Sequence, residues 1–235
     1  MKTLRFKLFV TLISFTVSFT GTYAATVTVP GTANPWLAGM PDGTATGDGD
    51  SAPAHSPIAV ATFLPGDIIT FVVTGTAGHG PAFSSGPDGN SGRTPSHAAV
   101  YGLASLISPT DSLLGVFLTA QQPDSSAAPV GLDFTTPFSR DYLALAPALK
   151  QVFFIGDGHT SGNVSQQIIV PSGATRLFLG ISDGFEWYNN VGNFSVTPTV
   201  TPEPSSTILL LSGFLVFIRC RRRGAGTHWL GAGSN

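Results

Sequence analysis

Three side chains in one short stretch can hold a hard cation. Asp183, Asn189 and Asn190 lie in the run Ile181-Ser182-Asp183-Gly184-Phe185-Glu186-Trp187-Tyr188-Asn189-Asn190-Val191-Gly192-Asn193-Phe194-Ser195-Val196. The pattern reads as a strand ending at Asp183, a loop, and a strand resuming at Asn193. That arrangement carries all three residues to one rim of the fold. Carboxylate and amide oxygens suit calcium, which takes about six to eight oxygens, backbone carbonyls and water included. The same residues have a second reading. Asp and Asn are preferred in β-turns, where their side chains bond nearby backbone. Spacing alone leaves both open. Trp187 and Tyr188 are either an apolar platform for a sugar face or anchors that pack the loop.

Other polar clusters carry less. Asp48-Gly49-Asp50, with Asp42 upstream, lacks the Gly and distal Glu of a helical calcium loop and reads as a solvated acidic loop. Gly156-Asp157-Gly158-His159 reads as a surface hairpin tip. His79, His97 and His159 are scattered, and no His-Glu-x-x-His spacing occurs. Gly89-Asn90-Ser91-Gly92 has the shape of a serine nucleophile turn, yet no order of His and Asp around it fits a triad. No local motif marks a carboxylic acid tuned for glycoside hydrolysis. The expectation is a protein that is not an enzyme. Cys220, the one cysteine, excludes an intramolecular disulfide and a multi-cysteine zinc site.

The elements that must position these residues read as strands. The chain has 235 residues with 28 Gly and 18 Pro, and only 10% are charged, against roughly 25% in an average soluble domain. Such a chain argues against a charged helical bundle or a coiled coil. Residues 25–200 hold four basic residues against twelve acidic ones, a net −8, which excludes a nucleic-acid partner. Short β-branched and aromatic runs occupy 58–63, 67–74, 98–103, 113–118, 151–155, 166–170, 175–182 and 193–197. Turn signals such as Pro65-Gly66, Pro171-Ser172-Gly173 and Gly86-Pro87-Asp88-Gly89 separate them. The expected fold is all-β, a jelly-roll-like β-sandwich over 25–200. Residues 142–150 are the plausible place for a helical turn, limited by Pro147. Residues 31–57 read as a long loop that Trp36 and Leu37 pin to the core.

The ends read as targeting segments. Lys2, Arg5 and Lys7 precede an apolar run over 8–19, and Thr22-Tyr23-Ala24 offers a cleavage site, so 1–24 is expected to be a signal peptide removed by signal peptidase. At the other end, Pro202-Glu203-Pro204 is followed by an apolar run over 208–218 and then Arg219, Arg221, Arg222 and Arg223. The run is short for a permanent span of about 20 residues, and the arginines would stay cytoplasmic. This order of features over 201–223 closely resembles the PEP-CTERM sorting signal of Gram-negative bacteria. The resemblance implies transient inner-membrane insertion by a short transmembrane helix, processing by an exosortase, and release to the cell surface or extracellular matrix. Residues 224–235 form a tail longer than such signals usually carry.

A second resemblance covers about 58–196. Pro65-Gly66-Asp67-Ile68-Ile69-Thr70-Phe71-Val72-Val73-Thr74-Gly75-Thr76-Ala77-Gly78-His79-Gly80-Pro81, a later Gly86-Pro87, and the Asp183…Asn189-Asn190-Val191-Gly192-Asn193-Phe194-Ser195-Val196 segment look like the PA-I type galactophilic lectins. Those are β-sandwiches that bind galactose through one calcium ion. The resemblance implies that Asp183, Asn189 and Asn190 give side-chain oxygens to calcium. It also implies backbone carbonyls from His79 and from Glu186 or Trp187, in a loop one residue shorter than the family's. The family sets a His and a Gln against the sugar. Here the matching stretch is Arg93-Thr94-Pro95-Ser96-His97, where His97 is the side chain able to take their part. Asp183, Trp187, Asn189 and His97 are thus the expected carbohydrate contacts, and Ca2+ the expected ion. The expected partner is a galactose-like sugar or extracellular polysaccharide. The competing expectation is a structural or adhesive exopolysaccharide-associated protein with no defined small ligand.

Overall fold

The computed structural model describes residues 22–23, 25–60, 63–80 and 84–202. Most of the expected signal peptide over 1–24 and the sorting signal from Glu203 onward therefore lie outside the described residues. So do Pro204, Arg219, Arg221, Arg222, Arg223 and the tail.

Regular structure among the described residues is almost all β. In chain order the strands are β1 (Thr22–Tyr23), β2 (Val27–Pro30), β3 (Ile58–Val60), β4 (Ile68–Gly78), β5 (Ser96–His97), β6 (Leu106–Ile107) and β7 (Leu113–Leu118). There follow β8 (Leu132–Asp133), β9 (Ala144–Leu145), β10 (Val152–Phe154), β11 (Gln167–Ile169), β12 (Arg176–Ile181) and β13 (Val191–Thr201), with a four-residue helix α1 at Pro137–Arg140. One sheet runs β1-β13-β4-β11-β9, with β2 also on β13. A second runs β10-β7-β12-β3, and a small third joins β5, β6 and β8.

Period-two patterning explains the first sheet. In β4, Ile69, Phe71 and Val73 are buried while the residues between them are not. In β13 the same alternation buries Phe194, Val196, Pro198 and Val200. β7 is buried along its whole length, as its central place in the second sheet requires. Both sheets contribute to one apolar core, in which Phe71 and Phe194 join Phe117, Phe153, Leu177 and Leu179. Phe117 and Phe153 stack with centroids 5.4 Å apart.

Three local expectations are corrected. The helical turn falls at α1 rather than at 142–150. Pro137 occupies its first turn and Thr136 caps it, with Oγ1 accepting the Ser139 N–H at 3.1 Å. Residues 144–145 are a strand instead. The run 98–103 is a tight turn, because consecutive Tyr101 and Gly102 have φ of 50° and 73° and reverse the chain between Val100 and Leu103, which bridge each other. β2 lies outside the runs expected as strands, although Val27-Thr28-Val29 is β-branched throughout.

The long segment 31–57 docks on the core as expected. Trp36 and Leu37 are buried in a 3-10 turn that Asn34 caps, its Oδ1 accepting the Trp36 N–H at 2.9 Å. Trp36 Nε1 donates to Ala104 O at 3.1 Å.

β4 and β13 approach closely where two glycines face each other's backbone. Gly75 has φ +104° and Gly192 φ +77°, and a Cβ on either would collide with Asn193 O or Thr76 O. Gly192→Ala should therefore destabilise the fold by ~1–3 kcal/mol from backbone strain alone. Chemical denaturation should show a lower midpoint, and an unchanged midpoint would contradict this account of the ladder.

Candidate functional site

The loop between β12 and β13 turns through Glu186, whose φ of 62° is left-handed, into a 3-10 turn at Trp187–Asn189. A distant segment holds it. Asp50, 0% exposed, accepts the N–H of Trp187 at 3.1 Å on Oδ2 and that of Tyr188 at 2.8 Å on Oδ1. Asn34 Nδ2 donates to Asp50 Oδ2 at 3.2 Å. Asp48 Oδ2 accepts the Glu186 N–H at 3.3 Å, and Thr46 Oγ1 donates to Asp48 Oδ1. Burial pushes the Asp50 carboxyl above its usual range, while the Trp187 and Tyr188 amides pull it back. Burial also acts on Asp48, but the bonds from Thr46 and Glu186 outweigh it and hold that carboxyl low. The pair is therefore a structural clamp on the candidate loop. Asp50 is thus buried in the fold rather than standing in a solvated acidic loop.

The structure links His79, Asp111 and Asp183, and places Asn190 just before the start of β13. The β4–β13 register ends at Gly78 opposite Val191, so the chain leaves the ladder through His79 on one strand and enters it from Asn190 on the other. Asn190 is buried, and its Nδ2 donates to Gly31 O at 3.1 Å, so its Oδ1 is turned away from that bond. Asp183 Oδ1 accepts the Gly184 N–H at 2.6 Å. Asp183 Oδ2 and Asn190 Oδ1 are both buried without a hydrogen-bond partner. Asp111, 0% exposed, is the neighbour that sequence reasoning missed. Its N–H donates to Ser182 O at 2.7 Å, and its carboxylate takes His79 Nδ1 at 3.3 Å and Ser85 Oγ at 3.4 Å. Burial raises the Asp111 carboxyl against the pull of His79, and the nearby charge of Asp183 pushes the same way. Arg93 Nη1 donates to His79 Nε2 at 2.8 Å, so Nδ1 carries the proton that bonds Asp111. The only sequence signal for Asp111 was its turn-like setting, Pro109-Thr110-Asp111-Ser112.

Other expected residues sit differently. The Asn189 side chain is exposed, and its Nδ2 donates to Glu186 Oε2 at 3.3 Å. The carbonyls of Glu186 and Trp187 already accept the N–H groups of Asn189 and Asn190, at 3.1 and 3.0 Å. Each retains one lone pair for a ligand. Trp187 is 0% exposed, and its Nε1 donates to Ile181 O at 2.8 Å. That is a correction: its ring is core, with no face for a sugar. Exposed ring area on this loop belongs instead to Tyr188, 48% exposed, and Phe185, 63% exposed.

His97 lies near both carboxylates of the loop region. Residue 184 packs toward Pro95, and the charges of Asp48 and Asp183 reach the imidazole. The ring stacks on Trp36 at 3.6 Å between centroids and meets Trp187 edge-on at 5.5 Å. Nδ1 donates to Ala98 O at 2.8 Å, which leaves the Nε2 lone pair as an acceptor. A cavity of about 300 Å³ opens here, lined by Trp36, Thr46, Asp48, His97 and Tyr101 among others.

Among the described residues no group of three or more His, Cys, Asp and Glu is arranged to hold a metal ion. A cation here would need amide and carbonyl oxygens beside the Asp183 carboxylate, an all-oxygen set that suits a hard ion better than a transition metal. Comparison of the chain with protein-family models, with curated proteins and with solved structures finds no match.

Two measurements check this geometry. Asp50→Ala removes a buried acceptor of three hydrogen bonds and should cost about 3 kcal/mol in chemical denaturation; a loss below about 1 kcal/mol would contradict the clamp. Burial holds the His97 imidazole below its ordinary 6.5. As pH falls below about 6.5 the unfolded chain takes up this proton before the folded chain does, so folding weakens in that window. An NMR titration should give a His97 midpoint under 6.5, and a midpoint at or above it would refute the burial argument.

Proposed function

We propose that the chain is an exported, non-enzymatic module that binds a saccharide through one calcium ion. The observation that carries the reading is the pair of buried, unpartnered oxygens, Asp183 Oδ2 and Asn190 Oδ1. Each such acceptor costs about 1–3 kcal/mol if nothing satisfies it. Asp111 beside Asp183 adds a second buried carboxylate whose repulsion a cation would relieve. Asp183 and Asn190 would hold the ion, with Asn189 after its amide leaves Glu186, and with carbonyls from His79 and Glu186. When bound, calcium supplies open positions that two vicinal hydroxyls can take in place of water. His97 Nε2 would accept a further hydroxyl proton, and the rings of Tyr188 and Phe185 would meet an apolar sugar face.

The finer reading of the fold, a jelly-roll-like β-sandwich, is supported by the two larger sheets sharing one core. The resemblance to the PA-I type lectins adds galactose-like sugars or host exopolysaccharide as the ligand class. Export, signal-peptidase cleavage and exosortase processing rest on the ordered features of the two termini.

Thermal melting tests the calcium step. Calcium at about 100 times its dissociation constant should stabilise the fold by ~2.7 kcal/mol, roughly 5–10 °C for a domain this size. EDTA should reverse the shift, and Asp183→Ala should abolish it. Calorimetry with galactose should then show binding only in the presence of calcium. A melting temperature indifferent to calcium, or sugar affinity unchanged in Asp183→Ala, would overturn the reading.

A further inference from the structure

A larger groove, of about 570 Å³, shares no lining residue with the loop at 183–190. It lies between three segments: Asp88 to Ser91, α1 with Asp141, and the turn from Asp157 to Asn163. Its volume falls within the roughly 300–1,000 Å³ of small-molecule sites. The turn at 156–159 reads from sequence as a plain hairpin tip, yet it forms one wall.

Hydrogen bonds between the walls, within them and to the residues behind them hold the groove in place. Asp88 Oδ1 accepts the Asp157 N–H at 3.0 Å, and Asp157 Oδ1 accepts the His159 N–H at 2.8 Å. Asp141 receives the Ser161 N–H at 2.6 Å and the Ser161 hydroxyl at 3.0 Å. Arg140 Nη1 donates to Phe134 O at 2.6 Å and Thr135 O at 2.9 Å. Buried Gln166 donates from Nε2 to Arg140 O at 2.6 Å. A groove tied this way needs little ordering to accept a ligand.

The lining chemistry selects the ligand. Asp88, Asp141 and Asp157 outweigh Arg140, so an anion is disfavoured. A wholly apolar ligand would strip water from the carboxylates without replacing their hydrogen bonds. Phe138, on α1, lines the same groove and is 91% exposed. One exposed ring is ordinary on a protein surface, but this ring shares a groove with hydroxyl-accepting carboxylates. A ligand with many hydroxyl donors and an apolar C–H face satisfies both.

We propose that this groove binds a segment of neutral saccharide chain without a metal ion. It does not rest on the calcium reading. Its carboxylates accept hydroxyl protons, Arg140 and Ser91 supply donors, and Phe138 stacks on the ring face.

The test uses the full chain in EDTA, titrated calorimetrically with neutral gluco-, manno- and galacto-oligosaccharides and separately with oligogalacturonate. At least one neutral probe should bind, and oligogalacturonate should bind more weakly. Phe138→Ala should weaken the neutral probe about tenfold, ~1.4 kcal/mol, with an unchanged melting temperature because the side chain is exposed. Asp157→Asn should weaken it as well. Absence of neutral binding in EDTA, preference for oligogalacturonate, or full affinity in Phe138→Ala would each overturn the proposal. Binding in EDTA without any calcium-induced melting shift would leave the groove standing and remove the calcium site alone.

Discussion

The antiparallel ladder between β4 and β13 is the constraint from which the rest of the architecture follows. It runs without a break from Ile68 opposite Thr201 to Gly78 opposite Val191. Side chains alternate in both strands, so a slip of one residue would turn Phe71 and Phe194 from the core to the outside. The register is therefore specified by burial, and Gly75 and Gly192 permit the close approach at its upper end. β11 extends the sheet beyond β4, while β2 and β1 share the opposite edge of β13. Because the ladder stops at Gly78 and Val191, it delivers His79 and Asn190 to the same rim. The candidate site is a consequence of where this pairing ends.

A second constraint acts across the rim. A carboxylate cut off from water must find hydrogen-bond donors or lose its charge. Asp50 finds the first two N–H groups of the 3-10 turn and the Asn34 amide. Those amides have no partner inside the turn itself, so carboxylate and turn satisfy each other. The left-handed Glu186 is held in the same way through Asp48. Asp111 plays a comparable part from the other side, joined to His79, Ser85 and the strand end at Ser182. The loop that presents Asp183 and Asn190 is thus shaped by acids that belong to other segments.

Much of the scaffold was legible in the sequence because burial leaves a local signature. The alternation of 67–74, the apolar run 113–118 and the Pro171-Ser172-Gly173 turn fall where β4, β7 and the entry to β12 lie. Trp36 and Leu37 were readable as anchors because large apolar residues in a Gly- and Pro-rich stretch have few other uses. The site was only half legible. The Asp183 to Asn190 loop announced its oxygens, but nothing local says that Asp50 crosses 137 positions to meet Trp187. Trp187 and Tyr188 are adjacent aromatics with the same composition signal. The 3-10 turn sends one into the core and leaves the other partly exposed, which only tertiary packing decides. The helix at 137–140 does carry a signal, a Thr cap before Pro at the first position, but a single turn leaves no apolar periodicity to mark it. The groove at Phe138 had none, since its walls come from three distant turns.

The segment from Thr44 to Ser51 behaves unlike most surface connections. Loops ordinarily accept added residues, which makes them the usual choice for grafting an epitope or a fluorophore. This one pinches its own ends together through the Ala45–Ser51 bridge and spends its interior residues gripping a loop on a different strand pair. Lengthening it by even one amino acid would shift Asp50 out of phase with the amides it serves. An engineer seeking a silent insertion point should avoid the stretch that composition alone marks as the most permissive.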